Sequence, residues 1–243
     1  MTDSPTPRFL LLQARRPEDP TAAHEHACFA ESLNVSLGDI QVHNLLSGPP
    51  SQESMENRLL LVGGSGEFSV LDKHPFVRTF LQFLDQEVLQ RKRPTFASCF
   101  GFQGLVIAGG GTVIHDSPNT EVGTFKITLT NAGCKDPLLG ALAPSFNAQE
   151  GHKDRADQLP AGITNLAYSE RAPFQAFRVD DAPIVATQFH PELSRAANTK
   201  RYLWYHERYG QANVHEDDVL STMEETPKAT ALLRRWVGEA TSQ

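Results

Sequence analysis

The 243-residue chain is short of cysteine, of positive charge and of long apolar runs, and each shortage closes off a class of protein. Its three cysteines, Cys28, Cys99 and Cys134, are an odd number with no C-x-x-C spacing, which argues against a disulfide framework and against a zinc knuckle. Against 29 Asp+Glu stand only 22 Lys+Arg, a formal net charge of −7, so no basic field is available to hold phosphate backbones and no nucleic-acid partner is expected. The early apolar stretch Phe9 to Leu12 is too short for a signal-peptide core or a membrane span, and Arg15 and Arg16 follow at once. The expectation is a cytoplasmic protein without membrane association. No internal repeat, low-complexity tract or convincing linker divides the chain. With 40% hydrophobic and 21% charged residues, the composition is that of a globular protein with a substantial core.

Apolar runs alternate with helical patterns. Phe9–Gln13, Asp39–Leu45, Leu59–Val62 and Thr95–Cys99 read as strands, and Thr21–Leu33, Pro75–Leu89 and Phe102–Ala108 as helices, the last broken by Gly109–Gly111 before an extended Thr112–Ile114. This β-α-β-α order predicts an α/β fold: a three-layer, flavodoxin-like open sheet, mostly parallel, with helices on both faces. Phe125–Thr130 alternates as a strand does, and Ala176–Val179 with Ile184–Phe189 suggests a late hairpin that makes the sheet mixed. After Ser194 the chain reads as a helical tail, Lys200–Tyr209 and Thr230–Val237, interrupted by the acidic Glu216–Asp218 and by Pro227. Residues 1–195 are expected to form the main domain and 196–243 a C-terminal helical extension packed on it.

The segment Ala97-Ser-Cys-Phe-Gly101 sets a cysteine between a predicted strand and a predicted helix, with small residues two before and two after. A nucleophile projected from a sharp strand-to-helix turn needs small flanks, because larger ones collide as the backbone folds around it. The helix start would aim N–H groups and positive dipole at the sulfur, favouring thiolate. A cysteine nucleophile needs an imidazole to take its proton and a third group to orient that ring. His190-Pro-Glu192, at the end of an apolar run, supplies both: residues two apart in extended chain project to one side, about 6.6–6.8 Å apart at Cα. Strand C-terminal ends are where open α/β sheets place their sites.

Cys99-Phe-Gly-Phe-Gln103 together with Gln188-Phe-His-Pro-Glu192 resembles the class I (triad) glutamine amidotransferase family, in which C-x-G-x-Q is followed some ninety residues later by F-H-P-E; the likeness is to the amidotransferase domain of GMP-synthase type, here standing alone. Val62-Gly-Gly-Ser65 is similar to the family's oxyanion turn, and Gly151-His-Lys-Asp154 before Leu159-Pro-Ala-Gly162 to its substrate segment. The resemblance runs from about Phe9 to Ser194. It implies Cys99 as nucleophile on the side-chain amide of glutamine, forming a γ-glutamyl thioester and releasing ammonia, His190 as base and then acid, and Glu192 as its orienter. It further implies the Gly64 and Phe100 N–H groups as oxyanion hole, and Gln103, His152 and Asp154 as substrate contacts. Ala97, Phe102, Ser65, Gly151 and Lys153 depart from the family pattern; none is a reacting group.

Read blandly, Gln103 is a first-turn helix residue, and His152 and Asp154 a polar loop. Gly109–Gly111 lacks a following Lys-Ser/Thr and reads as a helix-ending turn rather than a phosphate cradle. His24 and His26, two apart on a helix, point in different directions; no metal and no cofactor are expected. Tyr202, Trp204, Tyr205 and Tyr209 read as helix packing. The leading function is therefore a glutamine amidotransferase-type hydrolase whose ammonia passes to a separate synthase subunit. The competitors are a γ-glutamyl peptidase using the same residues on other γ-glutamyl amides, and a catalytically silent regulatory binding protein.

Overall fold

Alternation along the first strands builds both faces of the core at once. In the computed structural model, which describes residues 8–209 and 216–241, β1 (Phe9–Gln13) and β3 (Leu59–Val62) are buried along their whole length. Successive side chains of a strand point to opposite faces. Phe9, Leu11, Leu59 and Leu61 therefore enter one apolar cluster, and Leu10, Leu12, Leu60 and Val62 the other. The first cluster is closed by Phe29 and Leu33 of α1 (Thr21–Leu33), and the second by Phe76 and Phe80 of α3 (Pro75–Phe83) and by Leu105 of α4 (Phe100–Ala108). Such all-apolar strands, covered on both sides, are what a parallel sheet with helices on each face requires.

These strands sit in a nine-stranded mixed sheet. β2 (Ile40–Asn44), β1, β3, β4 (Thr95–Ser98) and β11 (Ile184–Thr187) run parallel in that order; β10 (Ala176–Val179), β9 (Ile163–Tyr168), β6 (Glu121–Leu129) and β7 (Ser145–His152) continue it antiparallel. The expected α/β architecture and the late hairpin are both present. β5 (Thr112–His115) leaves the main sheet and pairs antiparallel with β8 (Asp154–Gln158). Gly109–Gly111 is the helix-ending turn expected of it: Gly109 caps α4 and Gly110 takes φ +92°, open to glycine. The helix predicted over Pro75–Leu89 has α-geometry only to Phe83 and widens to π-helix over Leu84–Leu89. β7, β8 and β9 carry no sequence expectation. β7 buries Gln149, Glu150 and His152, so its pattern lacks the apolar alternation that betrays a strand.

Among the described residues four helices follow the sheet: α5 (Arg195–Tyr209), α6 (Glu216–Thr222), α7 (Pro227–Thr230) and α8 (Leu232–Ala240), with the short α2 (Gln52–Met55) earlier in the chain. Leu232, Leu233 and Trp236 of α8 lie in the same core cluster as β1, and the Trp236 ring meets Phe96 of β4 edge-on. Tyr202 packs with Val122, Val219 and Met223, and Trp204 edge-on against His24; the Tyr209 side chain lies outside the described residues. Among the described residues no helix is long and apolar enough to cross a membrane.

Candidate active site

β3, β4 and β11 are neighbours in one parallel register, and their C-terminal ends meet at one rim. Val62 faces Ala97 and Ser98 faces Thr187, so two steps beyond β3 and one beyond β4 bring Gly64 and Cys99 level, with Gln188 on the other side. Cys99 stands at φ +48°, ψ −98°, a left-sided conformation that costs a non-glycine residue on the order of 1–3 kcal/mol. Its N–H donates to the Thr187 carbonyl at 2.8 Å, and the next residue already begins α4. The small flanks are needed: a Cβ on Gly101 would stand 2.7 Å from Val62 Cγ1 and 3.0 Å from Ala97 Cβ. The sharp turn expected from Ala97-Ser-Cys-Phe-Gly101 is the turn observed.

His190 and Glu192 follow β11 and are both buried. The His190 Nδ1–H donates to Glu192 Oε1 at 2.7 Å, which leaves Nε2 as the basic nitrogen. Burial pushes the Glu192 carboxyl upward, but the charge and hydrogen bond of His190, with the Arg201 guanidinium, outweigh it and hold the group at about 2. A Cβ on Gly64 would come within 2.7 Å of His190 Cε1, so the glycine turn lies directly against the ring. The Gly64 and Phe100 N–H groups donate to no protein group among the described residues.

The sulfur behaves differently from the expectation. Burial first, then the carboxylates Glu150, Glu192 and Asp154, raise the Cys99 thiol well above the ordinary thiol range. A helix terminus contributes at most about 2 kcal/mol in favour of an anion, and here it is overridden. The Cys99 sulfur makes no hydrogen bond among the described residues, and a thiol raised in this way needs a base to become nucleophilic. It opens on a cleft of about 620 Å³ whose walls include Ser65, Phe68, Gln103, Lys153 and Asp154. His190 opens on a narrow cavity alongside, and Ser65, Gly66, Gly151 and Tyr205 wall both.

The cysteine motif and the histidine motif, ninety residues apart in the chain, thus end at one rim. Residues 30–205 match the family model for class-I glutamine amidotransferases. The chain belongs to that family. The glutamine-hydrolysing GMP synthase of Thermosipho africanus is 32% identical over 158 residues, 63% of this chain and 28% of that protein. In Sulfurisphaera tokodaii the glutamine-hydrolysing GMP synthase is named by subunits, and the matching one is 32% identical over 133 residues, 55% of this chain and 66% of that protein. The match thus spans about a quarter of the full-length synthase and about two thirds of the separate subunit. A crystal structure of a glutamine amidotransferase from Thermotoga maritima superposes with a TM-score of 0.75 at 21% identity, covering 98% of this chain and 99% of that one. This likeness is one of fold.

Within this class-I amidotransferase the three expected substrate contacts separate. Gln103 and Asp154 line the cleft, but the Gln103 amide donates to the Asp154 carbonyl at 2.8 Å and to Gln188 Oε1 at 3.2 Å. The Asp154 carboxylate accepts from the Ser69 hydroxyl and meets His115 Nδ1 at 2.7 Å. His152 is buried behind the cleft wall, with Nε2 3.0 Å from Glu121 Oε2 and Nδ1 3.1 Å from the Asp154 carbonyl.

Sequence reasoning missed a set of buried charges around this site. Glu121, Glu150 and His152 are, among the described residues, the group whose donor atoms lie close enough, within 4.8 Å, to suggest a cation. Burial, then the adjacent Glu121 carboxylate, raises the Glu150 carboxyl well above its ordinary range. On the other side, Arg15 donates to both oxygens of Glu25, at 2.8 and 3.4 Å, and Arg201 of α5 reaches Glu192. Apart from His152 and Glu192 none of these residues belongs to a motif, and only the closed fold brings α1, α5 and the β11 end together.

Proposed function

We propose that the protein is a glutamine-hydrolysing amidotransferase in which Cys99 Sγ attacks the side-chain amide carbon of glutamine. The observation that carries this reading is the shared rim: a strained nucleophile turn level with Gly64, whose backbone lies against a His190 already oriented by Glu192. The thiol proton passes to His190 Nε2 as the sulfur–carbon bond forms. The developing oxyanion is received by the Gly64 and Phe100 N–H groups, donors whose loss in comparable sites costs roughly 2.7–4 kcal/mol. Collapse expels ammonia, which takes the proton from His190, and leaves a γ-glutamyl thioester. Water, deprotonated by the same nitrogen, then releases glutamate and restores the thiol. Burial and the nearby carboxylates disfavour the Cys99 thiolate, which supports proton transfer to His190 and attack in one step.

The cleft wall carries a cation, Lys153, and carboxylates, Asp154, Glu67 and Asp72, the charge types that an amino acid's α-carboxylate and α-ammonium groups require. Relatives named as single subunits of glutamine-hydrolysing GMP synthase support, for this chain, a partner that is a separate ammonia-accepting synthase. The second reading, hydrolysis of γ-glutamyl peptides, is favoured by cleft size: about 620 Å³ falls in the range of sites for drug-sized ligands and exceeds what one amino acid fills. Ammonia release from glutamine, measured beside glutamate release from γ-glutamyl dipeptides, separates the two. Preference for glutamine, abolished in Cys99→Ser and His190→Ala, is the expected result. Preference for dipeptides would replace the amidotransferase assignment with the peptidase one, and turnover by Cys99→Ser would remove both.

A further inference from the structure

The oxygen of Glu192 that orients His190 has a second donor. Arg201, one turn and a half into α5, donates Nη1 to Glu192 Oε1 at 3.3 Å, on the same atom that accepts the His190 Nδ1–H at 2.7 Å. Its Nη2 stands 3.7 Å from Glu25 Oε1, and among the described residues Nε and Nη2 make no hydrogen bond, so the contact with Glu192 is what the guanidinium's hydrogen bonding secures. Arg15, Glu25, His190, Glu192 and Arg201 are all buried. Two guanidinium groups face two carboxylates, and the imidazole adds its charge only when it takes a proton.

Orienting an imidazole takes one carboxylate and no arginine. A guanidinium on the same oxygen does two further things. It fixes the carboxylate's rotamer, because a planar fork has few ways to meet it. It also draws off part of the negative charge that would otherwise hold the imidazolium. Glutamine hydrolysis needs both effects, since His190 must accept a proton from the thiol and surrender it to departing ammonia.

We propose that Arg201 is a positioning residue of the reaction: from the C-terminal helix it fixes Glu192 and limits how firmly His190 keeps the proton it takes from Cys99. The inference rests on the assignment of Cys99, His190 and Glu192 made above. The groups facing Arg201 are Glu25, His24 and Cys28 of α1, Arg15 after β1, Lys200 of α5, and Glu192 and His190 after β11. Burial, then Arg201, holds the His24 ring down at about 4, and burial raises the Cys28 thiol to about 11. Neither changes charge between those limits, so neither contributes a pH effect in the middle range.

The test is the rate of Cys99 alkylation by iodoacetamide from pH 5 to 10 in the full chain, read by mass at Cys99, with kcat and KM for glutamine measured alongside. Arg201→Met removes a buried positive charge, so the alkylation profile should move up by roughly one pH unit, with kcat falling about tenfold and KM nearly unchanged. Arg201→Lys keeps the charge and loses the fork, so the profile should return to its wild-type position while kcat stays low. Glu25→Gln leaves the guanidinium charge undivided for Glu192, and the profile should move down. A wild-type profile in Arg201→Met, with activity lost only in proportion to folded protein, would overturn the proposal. Should that variant not fold, unchanged kcat in Arg201→Lys together with an unmoved profile in Glu25→Gln would do the same. His190→Ala tests the underlying assignment separately: an unaltered Cys99 profile there refutes the triad itself, whatever Arg201 does.

Discussion

β1 and β3 bury every residue, nearly all of them apolar, and place their chemistry just past their ends; β7 buries Gln149, Glu150 and His152 within the strand itself. The parallel half of the sheet is a positioning device. Its strands are interchangeable apolar rods, and register alone brings Gly64, Cys99 and the β11 end to one rim. The antiparallel half is an electrostatic device. It holds Glu121, Glu150 and His152 in a dry layer, and the Glu150 carboxylate is one cause of the raised Cys99 thiol. Geometry comes from one half and part of the field from the other, so damage to each should look different.

The largest effect belongs to the rim. Cys99→Ser and His190→Ala should each lower kcat for ammonia release by roughly 10³-fold or more, with unchanged thermal melting, because they remove the proposed reacting groups and little packing. A folded, active Cys99→Ser would break the comparison at its centre.

Next comes the scaffold that holds the parallel strands. Trp236 is 1% exposed and meets Phe96 of β4, so Trp236→Ala should cost about 3–5 kcal/mol in urea unfolding. A loss under about 1 kcal/mol would show that α8 is a peripheral addition.

The antiparallel half should answer to pH. A carboxyl raised in the folded state favours folding below its unfolded value, near 4.5 for Glu150, and that contribution is lost as pH climbs toward the folded value. Wild-type stability should therefore fall over that interval, and Glu150→Gln should flatten the fall and be the more stable protein at the alkaline end. Parallel curves for the two proteins would show that the Glu150 carboxyl is not raised in the folded state.

The smallest effect lies at the cleft wall. Ser69→Ala deletes one hydrogen bond to the Asp154 carboxylate, an interaction worth about 1 kcal/mol, and should raise KM for glutamine several-fold while leaving kcat close to wild type. An equal fall in kcat would place Asp154 nearer the reacting atoms than its present contacts indicate.

The parallel half was readable because it is built from continuous apolar runs closed by turns, and Phe9–Gln13, Thr21–Leu33 and Leu59–Val62 end where those patterns end. β7 was not, since it buries the polar Gln149, Glu150 and His152 and so leaves no apolar periodic trace. The candidate triad was legible through short motifs, and the small flanks of Cys99 had a steric reason that the Gly101 contacts bear out. The thiol's surroundings were only half legible: the helix terminus can be seen in sequence, whereas the burial and the three carboxylates that oppose it cannot.

By itself the sequence determined the class of fold, the strand ends at which chemistry would sit, and the residue types able to perform it, because these follow from local periodicity, turn sterics and short spacing. Only the tertiary structure decided the field in which those residues work. Glu150 reaches Cys99 through the antiparallel half, and Arg201 reaches Glu192 from a helix after the sheet is complete. Electrostatic effects depend on distance and burial, and those exist only once the chain has closed.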